Sequence, residues 1–176
     1  YKVANGEQPE ILNDGEVALI YVNELVQLFI DSIYSDDNKS IIGKNSFELQ
    51  IEATSKKKVS ELLELITGYK KNYMENGVFP SLEDSFEKAL FNTFRCYVPL
   101  DHYPVKYTKH IDSRGSFVEI AKTQTSGQFS FSTTVPGITR GNHFHTRKAE
   151  RFAVISGKAL IQLRKIGTDE VIDYYL

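Results

Sequence analysis

A chain of 176 residues, 41% hydrophobic and 25% charged, has the balance of an ordinary soluble globular protein, and its length suits one full domain or parts of two. A formal charge of −2 gives no electrostatic reason to expect nucleic acid or an anionic membrane as partner. The longest aliphatic run, Val17 to Val22, is too short to span a bilayer, and the single cysteine, Cys96, excludes an internal disulfide. No basic-then-apolar segment at the start reads as an export signal, so the cytoplasm is the expected compartment. The chain opens on Tyr1 and stops in the strand-like Asp173-Tyr174-Tyr175-Leu176, so both ends read as cut from a longer protein.

In chain order, residues 16–35 predict a short apolar strand running into an amphipathic helix. From Val22 the apolar side chains recur at Leu25, Val26, Phe29, Ile30 and Ile33, the spacing of one buried helix face, with Asn23 as the expected N-cap. Residues 36–46 read as a polar surface loop. Phe47, Leu49 and Ile51 then alternate with Glu48, Gln50 and Glu52, a half-buried strand. A second helix carries Val59, Leu62, Leu63, Ile66 and Tyr69 on one face. Lys56-Lys57-Lys58 at its start reads as a solvated face rather than a phosphate site, because the helix dipole disfavours cations there. Pro80-Ser81 opens a third helix, with Ser81 and Asp84 at capping-box spacing and Leu82, Phe86, Leu90 and Phe94 on its buried side. Two prolines between Tyr97 and Pro104 mark the expected domain boundary.

Beyond residue 110 the period falls from 3.6 to two. Strands are expected at 117–123, 127–134, 150–156, 158–165 and 170–175, as in a sandwich or barrel, with no helix of three turns between Ser116 and Asp173. Within this part the chain reads Gly137-x5-His143-x-His145-x4-Glu150-x6-Gly157. On a strand, residues two apart point the same way, so His143 and His145 would converge inside a barrel, and Glu150, opening the next strand, would face them. Two imidazoles and a carboxylate suit zinc, iron(II), manganese or nickel. A bare His-x-His is more often a pair of loop histidines; the five spaced positions and the surrounding strand signals favour ligands.

This spacing resembles the first cupin motif. Asp112-Ser113-Arg114-Gly115-Ser116-Phe117 resembles the Asp-x-Arg-Gly-x-Phe element of sugar-nucleotide cupins, and Arg140-Gly141-Asn142-His143 their Arg-Gly-x-His element. Upstream, Tyr21-Val22-Asn23-Glu24-Leu25-Val26 is similar to the Tyr-Val-Asp-Asp-Val-Val stretch of extended short-chain dehydrogenases, with Asn23 and Glu24 in place of the two acids. A dehydrogenase tail joined to such a cupin resembles the CapF family of bifunctional capsular-polysaccharide enzymes over essentially the whole chain. The resemblance implies an α+β fold class: residues 1–100 as the C-terminal part of a Rossmann-like reductase, mostly helical here, and 105–176 as the N-terminal part of an incomplete jelly-roll cupin barrel.

It also implies two reactions. The cupin epimerises C3 of a UDP-4-keto-2-acetamido-2,6-dideoxyhexose, and the reductase reduces the C4 ketone with NADPH. The product is UDP-2-acetamido-2,6-dideoxy-L-talose, on the route to UDP-N-acetyl-L-fucosamine. A UDP-sugar substrate, a zinc ion in the cupin and a homodimer come with the resemblance. The second cupin motif with its fourth ligand has no counterpart in these residues. Nor do the glycine-rich dinucleotide loop and, in the reductase part, the Tyr-x-x-x-Lys pair. The resemblance therefore implies that these residues alone are inactive.

Arg140 is the candidate substrate contact, since its planar fork matches a diphosphate or enolate oxygen. The epimerase resemblance would make His143 a general base, whereas the cupin spacing makes it a ligand, and a coordinated imidazole has no lone pair left for a proton. His145 and Glu150 at ligand spacing favour the metal and leave the base unassigned. Zinc is preferred to iron because proton abstraction calls for charge stabilisation, not redox chemistry. Two other readings stay open: a cupin dioxygenase with a 2-His-1-Glu iron site, and a non-catalytic sugar-binding cupin.

Overall fold

The computed structural model describes residues 1–34, 40–43, 46–48 and 51–176. They form two compact units, Tyr1–Ile138 and Thr139–Leu176. In the first, β1 (Glu16–Leu19) pairs antiparallel with β4 (Ser55–Lys58), flanking α1 (Val22–Tyr34) and the hairpin of β2 (Ser40–Gly43) with β3 (Ser46–Glu48). Next come α2 (Val59–Tyr69), a π-helical turn over Lys70–Glu75, β5 (Val78–Phe79), α3 (Ser85–Arg95) and a 3₁₀ turn at Leu100–His102. The antiparallel strands β6 (Lys109–Asp112), β7 (Gly115–Thr123) and β8 (Gln128–Thr134) end this unit. The second unit holds the hairpin of β9 (Leu160–Arg164) and β10 (Val171–Tyr175). The fold is thus mixed α/β with several small sheets, and among the described residues the strands do not close into a barrel. No described helix is long and apolar enough to cross a membrane.

Helix starts depend on which group reaches the free backbone N–H donors, and here the observed caps differ from the expected ones. Helix α1 starts at Val22, so Asn23 lies inside its first turn. Glu24 reaches back instead, its carboxylate accepting from the Tyr21 N–H at 3.3 Å and from the Thr54 hydroxyl at 2.7 Å. At α2, Glu61 accepts from the Lys58 N–H at 2.9 Å, and Asp14 accepts from the N–H and the hydroxyl of Ser60, both at 2.8 Å. Those two bonds, and the Lys58 charge, hold the Asp14 carboxyl below the usual carboxylate range. At α3 the cap is Asp84, accepting from the Glu87 N–H at 2.7 Å, because the Ser81 hydroxyl closes a local turn onto the Glu83 N–H.

The lysine run forms strand β4, directly before α2. Part of the polar stretch 36–46 pairs as β2, where a loop was expected, and β3 ends at Glu48; Leu49 and Gln50 of the expected strand lie outside the described residues. The face of α1 expected to be buried is open, with Val26, Phe29, Ile30 and Ile33 all exposed. Its periodicity specifies a face without specifying what covers it.

The core lies between α2, its π-helical extension and α3. Ala4, Tyr69, Phe91, Phe94 and Val98 are buried, with Leu65, Ile66, Tyr73, Met74 and Leu90 packed against them. Rings meet edge-on: Tyr69 and Phe91 at 5.2 Å between centroids, Tyr73 and Phe91 at 5.0 Å. The Tyr69 hydroxyl donates to the Glu87 carbonyl at 3.1 Å, which satisfies its polar tip. Burial, reinforced by the Glu87 and Asp84 charges, pushes this phenol up to about 12. Because α3 starts later than expected, Leu82 lies outside it and exposed, and the buried weight shifts to Phe91 and Phe94.

Strand β7 organises the β part of the first unit. Strand β8 pairs along Gly115–Lys122, β6 along Gly115–Val118, and β5 runs parallel to Lys122–Thr123. The Gln124 N–H donates to the Phe79 carbonyl at 3.0 Å, and the Ser81 N–H to the Gln124 side chain at 3.2 Å. Strand pairing therefore crosses the Pro99–Pro104 stretch. All regular structure in 111–176 is strand, as the period of two implies, and four of the five expected strands form within two residues of their bounds. The fifth, 150–156, is no strand, since a strand exists only with a ladder partner and none of the described residues pairs with it.

Candidate metal centre

The candidate ligands stand in irregular chain of the second unit, and not on strands as their spacing suggested. The backbone turns sharply just before them: Gly141 has φ +97° and Asn142 φ +64°, the left-handed region that glycine enters freely and asparagine tolerates best among the rest. His143 and His145 follow with ring centroids 4.7 Å apart and planes at 72°. Nε2 of His145 lies 3.4 Å from Oε1 of Glu150. One donor atom from each of His143, His145 and Glu150 falls within 4.8 Å of the others.

Bonds of about 2.0–2.1 Å to a tetrahedral zinc would place ligand atoms roughly 3.3 Å apart. The His145–Glu150 pair already meets that length, and the other donor pairs lie within 4.8 Å. Two nitrogens and a carboxylate oxygen so disposed fit zinc. Glu150 is ready as an anion: the Lys148 hydrogen bond, then the charge of Lys148 and the nearby histidines, hold its carboxyl below the usual range against partial desolvation.

The structure brings together the three ligands expected from spacing, by way of a turn within residues 143–150. Arg140 is half-buried, three residues ahead of His143, and is not a member of the donor cluster. Spacing alone did not single out Lys148, whose Nζ lies 2.6 Å from Oε1 of Glu150. The signal available was a cation two residues from a candidate ligand carboxylate.

The Asp112–Phe117 element has a different role in the first unit. Asp112 accepts from the Arg114 N–H at 2.8 Å and from two guanidinium nitrogens at 2.9 and 2.6 Å, closing the β6–β7 turn. Gly115 has φ +139°, and a Cβ there would lie 2.1 Å from the Thr133 carbonyl oxygen, so only glycine lets β8 approach. The Ser116 hydroxyl is buried against that of Thr133 at 2.8 Å. These residues build the sheet.

Comparison with known proteins bears on both halves. The family described as Polysaccharide biosynthesis C-terminal domain matches residues 110–176. A UDP-2-acetamido-2,6-beta-L-arabino-hexul-4-ose reductase of Pseudomonas aeruginosa is 35% identical over 158 residues, covering 89% of this chain and 40% of that protein. The chain is similar to a crystal structure of CapF with the inhibitor 3-isopropenyl-tropolone, with a TM-score of 0.82 and 32% identity over 100% of this chain and 50% of that one. It is similar also to the capsular polysaccharide assembling protein CapF from Staphylococcus aureus, with a TM-score of 0.80 and 32% identity over 99% of this chain and 46% of that one.

Over its whole length the chain is similar to CapF. It spans about half the length of the CapF chains it matches. All three candidate ligands and Arg140 fall in the stretch that matches the polysaccharide-biosynthesis domain.

Proposed function

We propose that this chain is part of a sugar-nucleotide-modifying enzyme of capsular polysaccharide precursor synthesis, with His143, His145 and Glu150 as ligands of a zinc ion. The observation that carries this reading is the convergence of the three donors within 4.8 Å in a chain similar to CapF from end to end. Residues 1–100 are assigned to a short-chain reductase domain and 105–176 to a cupin domain. The match over 110–176 supports the second assignment, and the Tyr21–Val26 stretch, leading into α1, supports the first. The Pseudomonas relative is named a UDP-hexulose reductase, which supports a UDP-sugar substrate and NADPH as reductant. The reading extends to a cytoplasmic homodimer.

Epimerisation beside a ketone needs a base for the C3 proton, stabilisation of the enolate oxygen and an acid on the opposite face. When bound, zinc supplies Lewis acidity toward the C4 oxygen. His143 and His145 supply imidazole nitrogens to hold it and Glu150 supplies a carboxylate oxygen. Arg140 supplies planar donors for a diphosphate or enolate oxygen. With the His143 lone pair committed to metal, the base is another residue. Reduction at C4 by NADPH then gives UDP-2-acetamido-2,6-dideoxy-L-talose, on the route to UDP-N-acetyl-L-fucosamine.

In the intact protein, His143→Ala combined with Glu150→Ala is expected to lower solvent-deuterium incorporation at sugar C3 by about a hundredfold or more, the size of a lost Lewis-acid contribution. NADPH affinity, read by fluorescence titration, should stay unchanged. Undiminished C3 exchange in the double variant would remove the cluster from the reaction.

A further inference from the structure

Glu150 Oε1 has two suitors. The Lys148 ammonium lies 2.6 Å from it, and Nε2 of His145 faces the same oxygen from 3.4 Å. A divalent ion bonded to Oε1 between the two histidines would stand within a few ångströms of that ammonium, and the repulsion between them is only partly screened at so short a range. The Lys148 side chain is 54% exposed, so its ammonium can swing into water at little cost, whereas the Glu150 carboxylate is held among the donors.

We propose that Lys148 is a placeholder for the metal: its ammonium occupies the Glu150 oxygen in the metal-free site and must withdraw for the ion to bind. This inference rests on the reading of His143, His145 and Glu150 as zinc ligands. Lys148 thereby holds the carboxylate charge-paired before loading and lowers metal affinity at equilibrium. An exposed ion pair is worth little, so the effect is modest: removing the charge tightens zinc binding about two- to fivefold.

The test is competition for Zn²⁺ between a chromophoric chelator and the intact, EDTA-stripped protein. Lys148→Met is expected to bind zinc about two- to fivefold more tightly than the parent at low salt, and the gain should shrink toward zero near 1 M salt as the charges are screened. Lys148→Arg keeps the charge and should match the parent. With Co²⁺ as probe, the parent and Lys148→Met should give the same visible absorption bands, showing an unchanged ligand set. Circular dichroism checks the fold, and Lys148→Gln replaces Met should the latter misfold. Equal or weaker zinc affinity in the neutral variants overturns the placeholder while leaving the ligands standing. A parent protein that binds no more zinc than its His143→Ala, His145→Ala variant overturns the ligand reading and the placeholder with it.

Discussion

The α2–α3 region and the segment carrying the donors use similar side chains to opposite ends. Around α3, Phe91 and Phe94 are buried and fixed by rings that meet edge-on. In the second unit, Phe144, Phe152 and Ile155 are exposed, and no residue of that unit is buried. Yet the second region holds the three converging donors. Order in the first comes from area removed from water; the donor arrangement in the second comes from backbone geometry at Gly141 and Asn142 and from charge. A cluster of donor side chains can thus be encoded by a handful of neighbouring residues, while the buried core lies elsewhere.

The largest break in that comparison is expected from truncating an aromatic in each region. Phe91→Ala should cost about 3–5 kcal/mol, because Phe91 is 2% exposed and its removal leaves a cavity. Phe152→Ala, at an exposed position, should stay within about 0.5 kcal/mol. Urea unfolding followed by circular dichroism measures both, and equal midpoints would contradict the contrast. A smaller break compares two glycines of positive φ. Gly115→Ala meets the Thr133 backbone and should cost about 2–4 kcal/mol, whereas Gly157→Ala meets nothing within 4 Å and should cost about 1 kcal/mol, its backbone strain alone. The same unfolding assay ranks them.

The smallest effect sharpens the account of the buried core. The folded state raises the Tyr69 phenol from 10.0 to about 12. Below pH 10 both states keep the proton and the contribution is fully present. As pH rises from 10 toward 12 the unfolded chain ionises first and stability is lost. Tyr69→Phe should forfeit about 1 kcal/mol of hydrogen bonding at neutral pH and flatten that alkaline fall. An alkaline limb of the same steepness in the variant would place its cause in other tyrosines.

Much of this was legible in the residues alone. The helices at 22–34 and 59–69 follow from apolar spacing, and four strands beyond 115 from alternation. The convergence of His143, His145 and Glu150 was expected from their spacing, though by way of strands that do not form there. What escaped shares a physical cause: one-dimensional patterns show which face is apolar and not what lies against it. The open face of α1 and the unpaired 150–156 are both of that kind. The acceptor at the start of α2 escaped because Asp14 lies far along the chain from the Ser60 N–H it meets. Lys148 escaped because a pattern of ligands assigns no role to the cation beside them.

The parallel pairing of β5 with the end of β7 bears on the order in which the first unit assembles. Strands β6, β7 and β8 are joined by short turns, and α2 and α3 are near neighbours in the chain, so their contacts close quickly. The β5–β7 ladder joins Val78–Phe79 to Lys122–Thr123 across α3, the proline-bearing connection and all of β6. Closing a loop of that length before any reward arrives makes it a late step. A chain nicked between Tyr103 and Tyr107 would keep both local assemblies and lose chiefly the speed and the registration with which they join.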